Sequence, residues 1–156
     1  MDILNRLSDF FEKHKVKYEF IKHPVAYTAQ ETAEQEHVSG RQLAKVVMVR
    51  VDGKDVMAVL PASSRLSLHK LKGLLGARDV RLESEEEFKR LFPDCEVGAM
   101  PPFGDLYELP FFVDMSLAEN KFIVFNAGTH QDTIKMDYRD YARIAEPDLV
   151  EFLEEG

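Results

Sequence analysis

The dipeptide Asp52-Gly53 limits the folds open to this chain more than any other feature. It stands between two β-branched runs, LAKVVMVRV (43–51) and DVMAVLPA (55–62). Asp and Gly both tolerate the positive φ that a two-residue hairpin turn demands, so the runs are predicted to pair antiparallel. A hairpin at this point argues against an all-parallel sheet.

Other elements assemble around the hairpin. Ile3, Leu4, Leu7, Phe10 and Phe11 recur at helical spacing, and a polar KHK ends that helix near His14. VKYEFI (16–21) reads as a strand, and TAQETAEQEHV (28–38) as a short helix with Thr28 as cap and Glu31 at the capping-box position. LHKLKGLLG (68–76) is a helix stopped by Gly76, DVRL (79–82) a strand, and SEEEFKRLF (84–92) a helix capped by Ser84 with Glu87 completing a box. Beyond the Gly/Pro-rich VGAMPPFGD (97–105) come strands LPFFVD (109–114), KFIVFNAG (121–128) and DTIKM (132–136), then a closing helix from Tyr138. Strands that first alternate with helices and then follow one another imply an α+β fold: a mixed, partly barrel-like β-sheet flanked by helices. Without an internal repeat or long linker, residues 1–156 read as a single domain.

With 45% hydrophobic and 31% charged residues in 156, the chain has the composition of one globular domain with one core. No apolar run is long enough to span a bilayer and the N-terminal stretch lacks a signal-peptide block, so the expected location is cytoplasmic, with no membrane partner. Cys95, the sole cysteine, has no disulfide partner and no Cys/His company for zinc; neither a metal nor a cofactor is expected. The net charge of −8 is unevenly spread. Residues 1–81 carry 14 Lys+Arg against 10 Asp+Glu, whereas residues 82–156 carry 6 against 18. Within the basic part, Arg65, Lys70 and Lys72 form a cluster that reads either as a phosphate-meeting surface or as a solvated face.

Three segments carry possible chemistry. Lys45 sits inside the apolar run of the first hairpin strand, where burial of an unpaired ammonium is costly and strand alternation would turn it to water. In Gly98-Ala99-Met100-Pro101-Pro102 the glycine permits unusual backbone while two prolines fix φ and remove N–H donors, a combination that suits amides aimed into a cavity as well as a rigid connection. Asn126-Ala127-Gly128-Thr129-His130 places small residues, a hydroxyl and an imidazole at a strand exit. There is no G-x-S-x-G elbow, P-loop or H-E-x-x-H, so triad and metal-hydrolase chemistry lack support.

Together, the strand lysine in LAKVVMV, the GAMPPFG loop and the FNAGTH strand exit resemble the YbaK and prolyl-tRNA-synthetase editing-domain family, from about Tyr27 to Ile144. The ending YARIAEPDLVEF resembles its YeaK-like branch. The resemblance implies a stand-alone deacylase that hydrolyses the ester of mischarged aminoacyl-tRNA. It implies an essential role for Lys45 and a substrate pocket drawn from Tyr27, Val46, Gly98, Ala99, Met100, Pro101, Pro102, Ala127, Gly128, Thr129 and His130. With such a substrate, the uneven charge makes Arg65, Lys70 and Lys72, which precede or occupy a predicted helix, the expected tRNA contacts, the partners being the aminoacyl-tRNA acceptor end and a synthetase. Val46 and Thr133 stand where relatives often carry polar and acidic residues, and the apolar neighbours Val46, Met100 and Phe103 point to a small amino acid: alanine, serine or threonine. The competing readings are a non-catalytic aminoacyl-tRNA or adenylate binding module and a small-molecule esterase.

Overall fold

The computed structural model describes residues 3–24 and 38–155. Tyr27 and the helix predicted from Thr28, with its Glu31 box, lie outside the described residues. Among the described residues eight strands form one mixed sheet: β1 (Glu19–Lys22), β2 (Leu43–Val51), β3 (Lys54–Pro61), β4 (Val80–Leu82), β5 (Phe111–Asp114), β6 (Phe122–Asn126), β7 (Asp132–Asp137) and β8 (Asp148–Val150). The order β1-β7-β6-β2-β3-β5-β8, with β4 paired to β2 off this path, leaves β1 and β8 as ends, so the sheet is open. Pairs β1/β7, β7/β6, β2/β3 and β2/β4 are antiparallel, while β6/β2, β3/β5 and β5/β8 are parallel. Helices α1 (Ile3–Lys13), α2 (Leu68–Leu75), α3 (Glu85–Phe88) and α4 (Tyr138–Ala145) flank it.

The local signals explain most of these elements. Asp52 and Gly53 take φ of 49° and 82°, the pair of positive values that closes a tight hairpin, and β2 and β3 register from Ala44↔Pro61 to Val51↔Lys54. Gly76 ends α2 in the left-handed region at φ 61°, and Ser84 with Glu87 forms the expected capping box on α3. The first strand begins later than VKYEFI suggests. Lys15 turns left-handed at φ 55° and the Val16 amide closes back onto the Phe11 carbonyl at 3.0 Å, so these residues terminate α1 and only Glu19–Lys22 pairs with β7. β8, three residues long, had no periodicity to announce it.

The sheet separates two apolar layers by strand alternation. Ala44, Met48, Met57, Val59, Ile123 and Phe125 face a core shared with Ile3, Leu7 and Phe11 of α1 and Tyr141 of α4. Val49, Val56, Ala58 and Leu60 face the other way, against Leu71 of α2 and Phe152. Phe103 is the hub of the first layer. Its ring lies 5.7 Å from Phe10, 5.7 Å from Phe11, 5.4 Å from Phe125 and 5.2 Å from Tyr141, in edge-to-face geometry worth about 0.5–1.5 kcal/mol per pair beyond burial. Phe103 is thus a core residue, not a wall of an open pocket.

Candidate functional site

The loop and the strand exit meet through their backbones. After β6, the chain turns back into β7 through 127–131, closed by the Ala127 amide on the Asp132 carbonyl at 2.9 Å. Thr129 braces that turn: its Oγ1 donates to Asp132 Oδ2 at 2.6 Å and accepts from the amides of Gln131 and Asp132, both at 3.1 Å. The hydroxyl is therefore engaged within the turn. The Gly128 amide donates to the Ala99 carbonyl at 2.8 Å, and the Glu96 amide donates to the Gly128 carbonyl at 2.7 Å. His130 adds two more links, its amide to Glu96 Oε1 at 2.8 Å and its Nε2 to the Val97 carbonyl at 2.8 Å.

Glycine is required at both ends of this junction. Gly98 has φ +86° and Gly128 φ +96°, and a Cβ on Gly128 would come within 2.1 Å of Ile3 Cγ2 on α1. The other side of the loop is tied to α4, where the buried Tyr141 hydroxyl donates to the Pro102 carbonyl at 2.6 Å. Pro101, Pro102, Ala99 and Met100 are all buried, Met100 within the first core layer. Pro101 and Pro102 have no N–H and the Ala99 amide is used by the Glu96 carbonyl at 3.1 Å. Among the described residues, no hydrogen bond takes up the amides of Gly98 and Met100.

Lys45 reaches this junction through the β2/β6 seam. Leu43 pairs with Val124 and Ala44 with Phe125, so Lys45 stands level with Asn126 where the ladder ends and the turn departs. Alternation puts it on the face of Leu43 and Val47, and it is half-buried instead of pointing freely to water. Among the described residues its ammonium has one hydrogen-bond partner, the Ala62 carbonyl at 3.5 Å, and no carboxylate. Burial, with the positive charge of Arg65 added, pushes its pKa down. Val46 projects into the opposite layer beside Ala44 and Met48. Lys45 makes no hydrogen bond to the Gly98–Pro102 loop or to 127–130; what the sheet sets beside it is Asn126.

Asn126 is a residue that sequence reasoning passed over, although it belongs to the FNAGTH segment. Its Oδ1 is buried without a partner among the described residues, beside Lys45 across the seam. A buried acceptor left unsatisfied costs about 1–3 kcal/mol. On the outer side of the junction an open cleft of about 690 Å³ is lined by Lys22, Glu85, Glu96, Val97, Thr129, His130, Gln131 and Asp132.

The three basic candidates are held differently. Arg65 is exposed and close enough to Lys45 to act on its charge. Lys70 and Lys72 lie on α2; Lys70 Nζ donates to the Leu153 carbonyl at 2.7 Å and lies 3.8 Å from Glu155, while Lys72 is exposed. Cys95 is chemically quiet: burial pushes its thiol up to about 12, and Sγ lies 3.1 Å from the Tyr107 hydroxyl. Among the described residues no group of three or more His, Cys, Asp or Glu side chains could hold a metal ion, and no helix is long and apolar enough to cross a membrane.

Comparison with known proteins gives this arrangement a family. The chain is 29% identical over 152 residues to the multifunctional Ser/Thr-tRNA deacylase ProXp-y of Escherichia coli (strain K12), covering 94% of this chain and 90% of that protein. It is 27% identical over 122 residues to a proline–tRNA ligase of Bacillus mycoides, covering 72% of this chain but 21% of the ligase. The fold superposes with a TM-score of 0.83 on a crystal structure of a candidate trans-editing enzyme for prolyl-tRNA synthetase, at 21% identity over 100% of this chain and 99% of that one. The model of the aminoacyl-tRNA editing domain matches residues 23–144, which span Lys45, the Gly98–Pro102 loop and the 127–130 turn. The chain belongs to the aminoacyl-tRNA editing domain family.

Proposed function

We propose that this protein is a trans-editing deacylase that hydrolyses the ester of tRNA mischarged with a small amino acid, serine, threonine or alanine. The observation that carries the reading is a half-buried, carboxylate-free Lys45 level with Asn126 at the end of β6, the strand that leads into a backbone junction whose Gly98 and Met100 amides are untaken. An aminoacyl ester is already activated, so water attacks it without a covalent enzyme intermediate. What the reaction needs is a preorganised place for the developing oxyanion, worth about 3–4 kcal/mol in the transition state. The free amides supply donors for that oxygen. Lys45 holds the terminal nucleotide or the developing charge, and Asn126 Oδ1 accepts from the α-ammonium or a ribose hydroxyl.

Supporting a small substrate is the Ser/Thr specificity in the name of the Escherichia coli relative. Arg65, Lys70 and Lys72 provide the basic surface that meets tRNA, on an otherwise acidic protein of net charge −8. We read residues 1–156 as one domain because a single sheet ties the first described strand to the last. A synthetase is the natural neighbour of such an enzyme, since its mischarged product is the substrate.

The test is a panel of tRNAs charged with serine, threonine, alanine and their cognate amino acids, assayed with the wild type and Lys45→Ala. Expected are hydrolysis of at least one mischarged tRNA and a loss of about a hundredfold in Lys45→Ala with an unchanged thermal melt. Binding without hydrolysis would favour a carrier module, and turnover of free esters alone a metabolite esterase.

A further inference from the structure

We propose that the open end of the β2/β3 hairpin is a phosphate site, and that its ligand is the phosphodiester on the 5′ side of the terminal adenosine of the acceptor strand. The inference rests on the deacylase reading and locates a part of the substrate which that reading leaves unplaced.

The hairpin ends are drawn unusually close. The Ala62 amide donates to the Leu43 carbonyl at 2.8 Å and the Ser63 amide to the Gly40 carbonyl at 3.2 Å. A Cβ on Gly40 would lie only 3.0 Å from Ser63 Cβ, so the absence of a side chain there lets the two segments touch. That approach sets Arg41 beside Ser63 and Ser64 around a cleft of about 180 Å³, with Asn120 on its far wall. Asn120 Nδ2 fixes the Arg41 backbone by donating to its carbonyl at 2.8 Å. Arg65 follows directly, its backbone pinned by the Glu154 amide on its carbonyl at 2.8 Å and by the Leu66–Leu153 bridge. Lys45 Nζ is on the same end, 3.5 Å from the Ala62 carbonyl.

Three cations, Arg41 on the cleft and the neighbouring pair Lys45 and Arg65, therefore flank the same end of the hairpin. Among the described residues none of them has a carboxylate within ion-pair distance, whereas Arg50, Arg81 and Arg143 are each paired. Glu119 is the one carboxylate on the cleft and is exposed at its rim. Like charges held together without counter-charges repel, and the arrangement becomes favourable when an anion enters. The Arg41 guanidinium and the Ser63 and Ser64 hydroxyls offer donors that match phosphate oxygens, with Arg65 next in the chain as a second fork beside Lys45. The ribose that carries the ester also carries the 5′ phosphate, so an ester at Lys45 keeps that phosphate within a sugar's breadth of this cleft.

The experiment compares wild type, Arg41→Gln, Arg65→Gln and Arg65→Lys on two small substrates: the 3′-aminoacyl ester of adenosine 5′-monophosphate and that of adenosine. The amino acid is the one selected by the tRNA panel. A phosphate contact predicts that each Gln variant loses about tenfold or more in kcat/KM on the phosphorylated ester and less than about twofold on the other, with Arg65→Lys recovering much of the loss. On full-length aminoacyl-tRNA, the salt dependence of KM should become shallower by about 0.7 log units per log unit of salt for each contact removed. Equal losses on both small substrates, or unchanged salt slopes, overturn the phosphate site while leaving the deacylase reading intact. A wild type that hydrolyses neither tRNA nor ester sinks both.

Discussion

The hydroxyl of Tyr141, fully buried on α4, donates a 2.6 Å hydrogen bond to the carbonyl of Pro102 at the end of the Gly98–Pro102 loop. This bond links the closing helix to the segment whose amides surround the proposed oxyanion. Its removal leaves a buried carbonyl unsatisfied, at a cost of about 1–3 kcal/mol. Tyr141→Phe keeps the ring contacts with Phe103 and Phe125, so the protein should stay folded with a Tm lowered by several degrees. Deacylation should fall further than stability does, because the loop loses its tether. A full-rate Tyr141→Phe enzyme at 25 °C would show that the loop needs no such support.

Backbone shape, not side-chain chemistry, should govern the loop. Gly98 has φ +86°, where a β-branched residue is strained by about 1–3 kcal/mol, although a Cβ there would meet only His130 Cε1 at an ordinary 3.5 Å. Met100 is buried in the core layer, and leucine of similar volume costs less than about 1.5 kcal/mol. Gly98→Val should therefore reduce deacylation by about tenfold or more and Met100→Leu by less than about threefold. Circular dichroism establishes that both are folded; matching rates in the two variants would make the loop a mere connector.

Away from the site, Glu83 should set part of the pH dependence of stability. Its side chain is buried beside Asp55, with Arg50 Nε at 3.4 Å, and desolvation followed by the neighbouring Asp55 raises its pKa from 4.5 to about 7. A carboxyl whose folded pKa is raised binds its proton more tightly in the native state. Its contribution is thus most favourable below pH 4.5 and is lost as pH climbs through about 7. Glu83→Gln removes this titration while keeping an acceptor for Arg50. Thermal melts from pH 5 to 8 should show the wild type losing stability relative to the variant, by at most about 3 kcal/mol. Parallel curves for the two proteins across that range contradict the assignment.

Much of the architecture was legible because it rests on local chemistry. Asp52-Gly53 fixes a hairpin turn through φ alone, and Ser84 with Glu87, or Gly76, ends a helix through bonds made within four residues. The motifs of the candidate site were legible as residue types in order along the chain: Lys45 in an apolar run, a Gly/Pro loop, and small residues after β6. Tertiary structure alone decided how they meet. Whether Lys45 faced water depended on the parallel β2/β6 seam, which joins residues about eighty positions apart in the chain and leaves the lysine level with Asn126. The burial of Phe103, the Tyr141–Pro102 bond and the placing of Arg41 beside Ser63 and Ser64 at the hairpin end likewise depend on long-range packing. Turn and cap energies are set by neighbours in sequence, so the sequence determines them; burial and charge proximity are set by neighbours in space, and these exist only once the sheet has formed.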